Sequence, residues 1–351
     1  MMHGMDIQYL AGFGAAFAAG LILTPVFGRI SAATGLIDYP SSRRFHLTIM
    51  PMMGGLAVAS AFLIAYLLVI KGIPGIKIIG AIAASLVMLM LGLIDDFRTI
   101  SPKVKLAGQF AASVILLACG LRLNMTGIVP IDWVFTIVWF AGIVNCLNLL
   151  DNIDGLAGGT SAVAGGFFFL AGAITGRTDI AIAAAVFSGA CLGFLSHNFH
   201  PATIFSGDAG SMFMGSMLAS FGLFFMSPGS GLPHAISILF PGVILGLLIF
   251  DTGLVTIMRV THGKKITDGG KDHTSHRLCN LGLSVQAAVV VLFIASFICG
   301  AAGIAMLPPM RLIAPGRAFI IPVSLFIISA VFWALLGNLY TYEDVREEAV
   351  N

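Results

Sequence analysis

Residues 145–159 read NCLNLLDNIDGLAGG, a stretch that interrupts a long apolar run with two carboxylates and three asparagines. Asp151 and Asp154 stand three apart, so on a helical turn they would share a face. Asn145 and Asn148 repeat that spacing on the apolar side of the break. Acids and amides are therefore expected to line one wall of a polar pocket at a membrane surface, where ionisable groups are expensive and usually have a function. The plainer reading is a loop with Asp as helix cap and Gly as breaker. That needs one carboxylate, not two beside three amides.

Working outward, the 351 residues are 58% hydrophobic and 10% charged, with a mean hydropathy of +1.01. This composition belongs to an all-α, polytopic membrane protein, not to a soluble globular chain. A net charge of +2 without long runs of one sign gives no reason to expect nucleic acid as a partner. Five cysteines scattered mostly through apolar segments show neither a disulfide framework nor zinc spacing. The first apolar segment lacks a basic n-region and a cleavage site, so it reads as a retained helix instead of a signal peptide.

At about 20 apolar residues per crossing, spans are expected near 9–27, 52–70, 77–94, 106–121, 131–150, 159–175, 180–196, 211–227, 236–258, 284–306 and 318–338. Eleven helices put the termini on opposite sides. One set of connections carries Arg29, Arg43, Arg44, Arg98, Lys103, Lys105, Arg259, Lys264, Lys265, Lys271, Arg277 and Arg346; the other has Lys71, Lys77, Arg122, Arg177, Arg311 and Arg317. The positive-inside rule places the richer set in the cytoplasm, with the N-terminus outside and the C-terminus cytoplasmic. Most acidic residues fall on that same side, and Asp251 lies within the ninth span. The expectation is one membrane domain, 1–351, whose active site is built from five cytoplasmic loops at about 28–51, 95–105, 151–158, 197–210 and 259–283. The outer loops read as connectors rich in turn residues.

Each inner loop offers chemistry. In the first, the adjacent Arg43 and Arg44, near Asp38 and His46, suit forked binding of a phosphate. The second opens with Asp95–Asp96, whose mutual repulsion makes sense if a divalent cation or a cationic side chain compensates them. Magnesium, which takes oxygen ligands from one or two carboxylates, water and substrate phosphate, is the natural candidate, with manganese as a substitute. The fourth loop, SHNFHPATIFSGDAGS, places Asp208 at the start of a span, as helix cap or beside an anionic ligand. Asn198 can read a hydrogen-bonding edge and Phe205 can stack on a ring. The fifth, HGKKITDGGKDHTSHRL, holds Asp272, His273, His276 and Arg277, with the histidines suited to phosphate binding, proton transfer or metal ligation, though no third and fourth soft ligand recurs nearby for zinc.

Taken together, the loop with Arg43 and Gly55, LGLIDDF, NCLNLLDNIDGLAGG, FSGDAGS and DHTSHRL occur in the order and with the spacing that mark a known family. The chain resembles the polyprenyl-phosphate N-acetylhexosamine-1-phosphate transferases, the bacterial undecaprenyl-phosphate enzymes of glycosyltransferase family 4. The resemblance covers most of the chain. It implies transfer of a sugar 1-phosphate from a UDP-N-acetylhexosamine to undecaprenyl or another polyprenyl phosphate, at the cytoplasmic face of the bacterial inner membrane, with Mg2+ and release of UMP. A homodimer among membrane lipids is compatible with it. It further implies Asp208 as magnesium ligand, Asp95 as the carboxylate that deprotonates the lipid phosphate, and Asp96 as support for the metal or the diphosphate. Asn148, Asp151, Asp154 and Asn198 match nucleotide or active-site positions, Phe205 an aromatic position beside uracil, Lys105 a basic active-site position and His273 a diphosphate contact.

The match departs from the family in one place. Initiating enzymes often carry His-x-His-His, whereas Ser275 and Arg277 flank His276 here, and the peptidoglycan enzyme's run of three histidines is absent. That argues against a muramoyl-pentapeptide donor and does not itself pick another sugar; N-acetylglucosamine is the default that the resemblance implies, by its frequency in the family and not by any residue here. Two other classes compete. An ion-coupled transporter would place carboxylates on broken helices near the midplane; a noncatalytic scaffold would leave the carboxylate cluster without a purpose.

Overall fold

Apolar runs punctuated by Gly and Pro fold into helix at each of the first ten expected spans. A computed structural model describes residues 2–39, 49–263, 270, 272–308 and 324, so the eleventh span and the Arg43–Arg44 pair lie outside the described residues. In chain order the helices are α1 (Met2–Thr34), α2 (Gly54–Val69), α3 (Ile76–Phe97), α4 (Pro102–Ala118), α5 (Val129–Leu150), α6 (Leu156–Ile174), α7 (Thr178–Asn198) and α8 (Gly207–Met226). They continue as α9 (His234–Ile244), α10 (Gly246–Thr261), α11 (Thr274–Asn280) and α12 (Val285–Ala305). Pro at the first turn of α4 and α5 fits positions whose N–H has no helical partner. Between α1 and α2, β1 (Ile37–Asp38) and β2 (Met50–Pro51) pair antiparallel, Ile37 opposite Pro51.

Among the described residues seven helices are long and apolar enough to cross a membrane: α1, α3, α5, α6, α7, α8 and α12. They become eight if the bent pair α9–α10 is one span. The continuous ninth span expected from the sequence is in fact broken, with a 71° bend at Leu245. Pro241 and Gly246 flank the break, and both weaken a continuous helix.

α8 is the axis of the bundle. Every residue of it except Asp208 is buried, against α2, α3 and α5 among others. Such enclosure requires close backbone approach, and the sequence supplies it. A Cβ on Gly55 of α2 would lie 2.2 Å from Gly210 N, and one on Gly92 of α3 would lie 2.4 Å from Asp208 O. Elsewhere in the bundle, Gly189 and Gly193 of α7 sit on the backbone of α1 at Phe13 and Phe17. This is the small-residue seam by which helices pack where lipid offers no hydrophobic drive. The result sets the N-terminus of α8 beside the C-terminal ends of α3 and α5.

Candidate active site

The start of α8 has unpaired backbone amides, as every helix start does. Here they are capped from outside the helix: Asp96, at the end of α3, accepts from Asp208 N at 2.7 Å through Oδ1 and from Ala209 N at 3.0 Å through Oδ2. Gly207 enters the helix at φ +67°, and a Cβ there would lie 2.5 Å from Asp96 Oδ2. With Asp96 as the cap, the Asp208 carboxylate is released for other partners. Its Oδ2 receives Lys105 Nζ at 2.5 Å and its Oδ1 receives Asn148 Nδ2 at 3.1 Å. Lys105 Nζ also pairs with Asp95, whose other oxygen accepts from Ile100 N at 2.7 Å. One ammonium thus bridges two carboxylates from α3 and α8. The repulsion of Asp95 and Asp96 is relieved twice, by Lys105 at one and by the positive end of α8 at the other. The Asp208 side chain keeps 32% exposure against 7% for Asp95, so Asp208 is the more accessible acid of the pair.

The second wall is the turn between α5 and α6. Asp151 is the C-cap of α5, and Asp154 lies in the following turn, so the two do not share a helical face as their spacing suggested. Each instead meets the α7–α8 connection. Ser206 Oγ donates to Asp151; His200 Nδ1 lies 2.7 Å from Asp154 Oδ2, which also accepts from Ala202 N at 3.1 Å. Asn198 ties the same two segments, accepting from Gly155 N and donating to Ile204 O. Phe205 is half-buried and held through its backbone, N to Pro51 O at 2.8 Å and O from Gly54 N at 2.9 Å. Asn148 joins this site through Asp208 and Ser211, whereas Asn145 pairs with Gln109 of α4 in a helix–helix amide contact. The amides therefore do not form one wall.

The histidine segment adjoins the α5–α6 turn. Asp251, fully buried on α10, accepts from Thr274 N at 2.7 Å and lies 2.7 Å from His273 Nδ1, which fixes the imidazole. Arg259 grips Asp272 with two N–H donors at 2.7 and 2.8 Å, and Arg277 Nε donates to Asp272 O. Burial opposes ionisation of Asp272, but the Arg259 bonds and charge, aided by His273, hold its carboxyl below the usual range. Ser275 Oγ donates to Asn152 Oδ1 at 2.6 Å, joining α11 to the α5–α6 turn. His276 and Arg277 are buried in α11, with the rings of His273 and His276 6.2 Å apart. The intramembrane acid that the transporter reading would need, Asp251, is thereby the partner of a loop histidine.

Residues 78–226 match the model of glycosyl transferase family 4. The chain is 31% identical over 313 residues, 85% of each sequence, to the probable undecaprenyl-phosphate N-acetylglucosaminyl 1-phosphate transferase of Bacillus subtilis (strain 168). The chain belongs to glycosyltransferase family 4. The chain is also similar to the decaprenyl-phosphate N-acetylglucosaminephosphotransferase of Mycobacterium tuberculosis (strain ATCC 25618 / H37Rv), 31% identical over 333 residues, 83% of this chain and 81% of the relative. Similarity to the phospho-N-acetylmuramoyl-pentapeptide-transferase of Thermosynechococcus vestitus is sharper but local, 53% over 79 residues, 22% and 20% of the two chains.

In this family 4 chain the geometry joins Asp95, Asp96, Lys105, Asn148 and Asp208 at the head of α8, and Asp151, Asp154 and Asn198 along the adjoining turn. His273, His276 and Arg277 reach the site through Asn152 and Ser275. The sequence reading passed over His200, Ser206, Asn152 and Arg259. Polar residues in an inner loop were the sole signal for them, and their partners are 13 to 123 residues away.

Proposed function

We propose that this family 4 protein transfers N-acetylhexosamine 1-phosphate, with N-acetylglucosamine as the sugar, from a UDP-sugar to undecaprenyl or a related polyprenyl phosphate. The products are a polyprenyl diphospho-sugar and UMP, the initiating step of a cell-envelope polysaccharide. The observation that carries the mechanism is the Lys105 bridge between Asp95 and Asp208 at the head of α8. Attack of an acceptor phosphate oxygen on the sugar-bearing phosphorus forms one P–O bond and breaks the bond to the UMP oxygen. It brings several negative charges together, so catalysis consists of positioning and charge stabilisation.

The relatives' activities and the donor set support this reading. Among the described residues no three His, Cys, Asp or Glu side chains are grouped to hold a metal by themselves. A magnesium ion needs one or two carboxylates with the rest of its shell from water and substrate phosphate, and the Asp95–Asp208 pair fits that requirement. Magnesium held there would neutralise diphosphate charge. Asp96, placed beside the metal by the resemblance, is given another task in this reading, since both its oxygens serve the α8 amides. A phosphate monoester is already largely ionised near neutral pH, with its second pKa at about 6, so Asp95 serves as a ligand and partner of Lys105 without having to act as base. Lys105 and His273 approach the phosphates, while Asp154, Asn198 and Phe205 lie on the nucleotide side. Arg43 and Arg44 engage the acceptor phosphate. The lipid tail stays among the helices of an eleven-span bundle with its N-terminus outside, and the nucleotide arrives from the cytoplasm.

The test is UMP release by purified protein with UDP-N-acetylglucosamine, undecaprenyl phosphate and Mg2+. Asp208→Asn and Asp95→Asn are expected to lower kcat by about 100-fold or more while the protein stays folded. Folded wild-type protein that releases no UMP from any UDP-N-acetylhexosamine would falsify the assignment.

A further inference from the structure

We propose that His200 is a positioning residue for the UDP-sugar, acting through Asp154, an inference that rests on the transferase reading above. Asp154 is held on one oxygen only. Its Oδ2 meets His200 Nδ1 at 2.7 Å and Ala202 N at 3.1 Å, whereas its Oδ1 makes no hydrogen bond among the described residues. A carboxylate accepts and does not donate, so Nδ1 carries the hydrogen of this contact. Two donors on one oxygen fix that end of the carboxylate and leave the second oxygen, a pure acceptor, without a hydrogen bond among the described residues. The side chain is 14% exposed, enough for a ligand atom to reach.

The surroundings make this a built contact. The turn that bears Asp154 and the segment that bears His200 are stitched on both sides, by Asn198 to Gly155 N and by Ser206 to Asp151. Between these ties His200 is the side chain that sets the direction of Asp154. The ligand chemistry such an acceptor selects is an N–H or O–H group, and the UDP-sugar carries both while the polyprenyl phosphate carries neither in its ionised form. The consequence is an effect confined to the donor.

Steady-state kinetics of the purified full chain, varying each substrate in turn, tests it. His200→Ala is expected to raise KM for UDP-N-acetylglucosamine about five-fold, the scale of one ordinary protein hydrogen bond. KM for undecaprenyl phosphate and kcat should stay within about two-fold of wild type. His200→Asn should restore donor KM, because its amide nitrogen stands as many bonds from the backbone as Nδ1; His200→Gln, one bond longer, should not. In an Asp154→Asn background the His200→Ala change should add almost nothing, since the two act as one unit. Equal losses for both substrates, a fall in kcat alone, or full additivity with Asp154→Asn would overturn the inference while leaving the transferase reading intact. Wild-type protein without UMP release would remove that reading and this one together.

Discussion

Lys105 is the residue on which the site's charge balance turns, because its single ammonium faces Asp95 and Asp208 together. Removing it leaves two carboxylates confronting each other and an incoming diphosphate, so Lys105→Ala should lower kcat by about 100-fold. Lys105→Arg should recover little, since a planar fork cannot replace a compact point charge between two oxygens. Initial rates of UMP release at saturating substrates measure both. These residues were legible singly: adjacent acids, an Asp at a helix start and a Lys in a polar loop each announce chemistry. Their pairing was not, because Lys105 and Asp208 are 103 residues apart and nothing local encodes the meeting. For Asp96 the resemblance implies support of a metal or the diphosphate, and the structure adds a partner that no local pattern announces, the amides at the start of α8. For Asp151 and Asp154 the three-residue spacing falls on a turn and not on a helix, so it puts them on no common face.

At the scale of elements, α10 and α11 are held as a unit by the buried Arg259–Asp272 pair and by Asp251 beneath His273. Breaking a buried pair by removing one partner costs about 3–5 kcal/mol, so Arg259→Ala should lower Tm in detergent and loosen α11. The pH dependence has a definite sign. The Asp272 carboxyl is depressed in the folded protein, so its contribution is complete above the unfolded value of about 3.9 and disappears as pH falls through the folded one. The Tm difference between wild type and Arg259→Ala should therefore be constant from pH 8 to pH 5 and shrink below about pH 4. Hydropathy located ten helical segments because burial in lipid demands long apolar runs. It missed the bend in the ninth, since Leu245 lies in an apolar run that reads the same straight or bent, and only Pro241 and Gly246 hint at the break.

On the scale of the whole molecule, the candidate site stands at the head of a helix that its neighbours enclose. α8 is enclosed along its length, and the glycines facing it fix how near its neighbours come. Gly55→Ala or Gly210→Ala would force backbone against backbone, and overpacking of this kind costs about 1–3 kcal/mol or more. Both should reduce Tm and turnover together, unlike Asp208→Asn, which should spare Tm. The membrane class was readable in composition alone, yet the identity of the central helix was not, because hydropathy cannot separate a face turned to lipid from one turned to protein. That enclosure foretells how the chain drifts over generations: in a saturation scan scored by growth, the exposed Leu67 and Leu68 of α2 should accept most greasy replacements, while the positions from Gly207 to Met226 admit almost none, although only the first few stand near the Lys105 bridge.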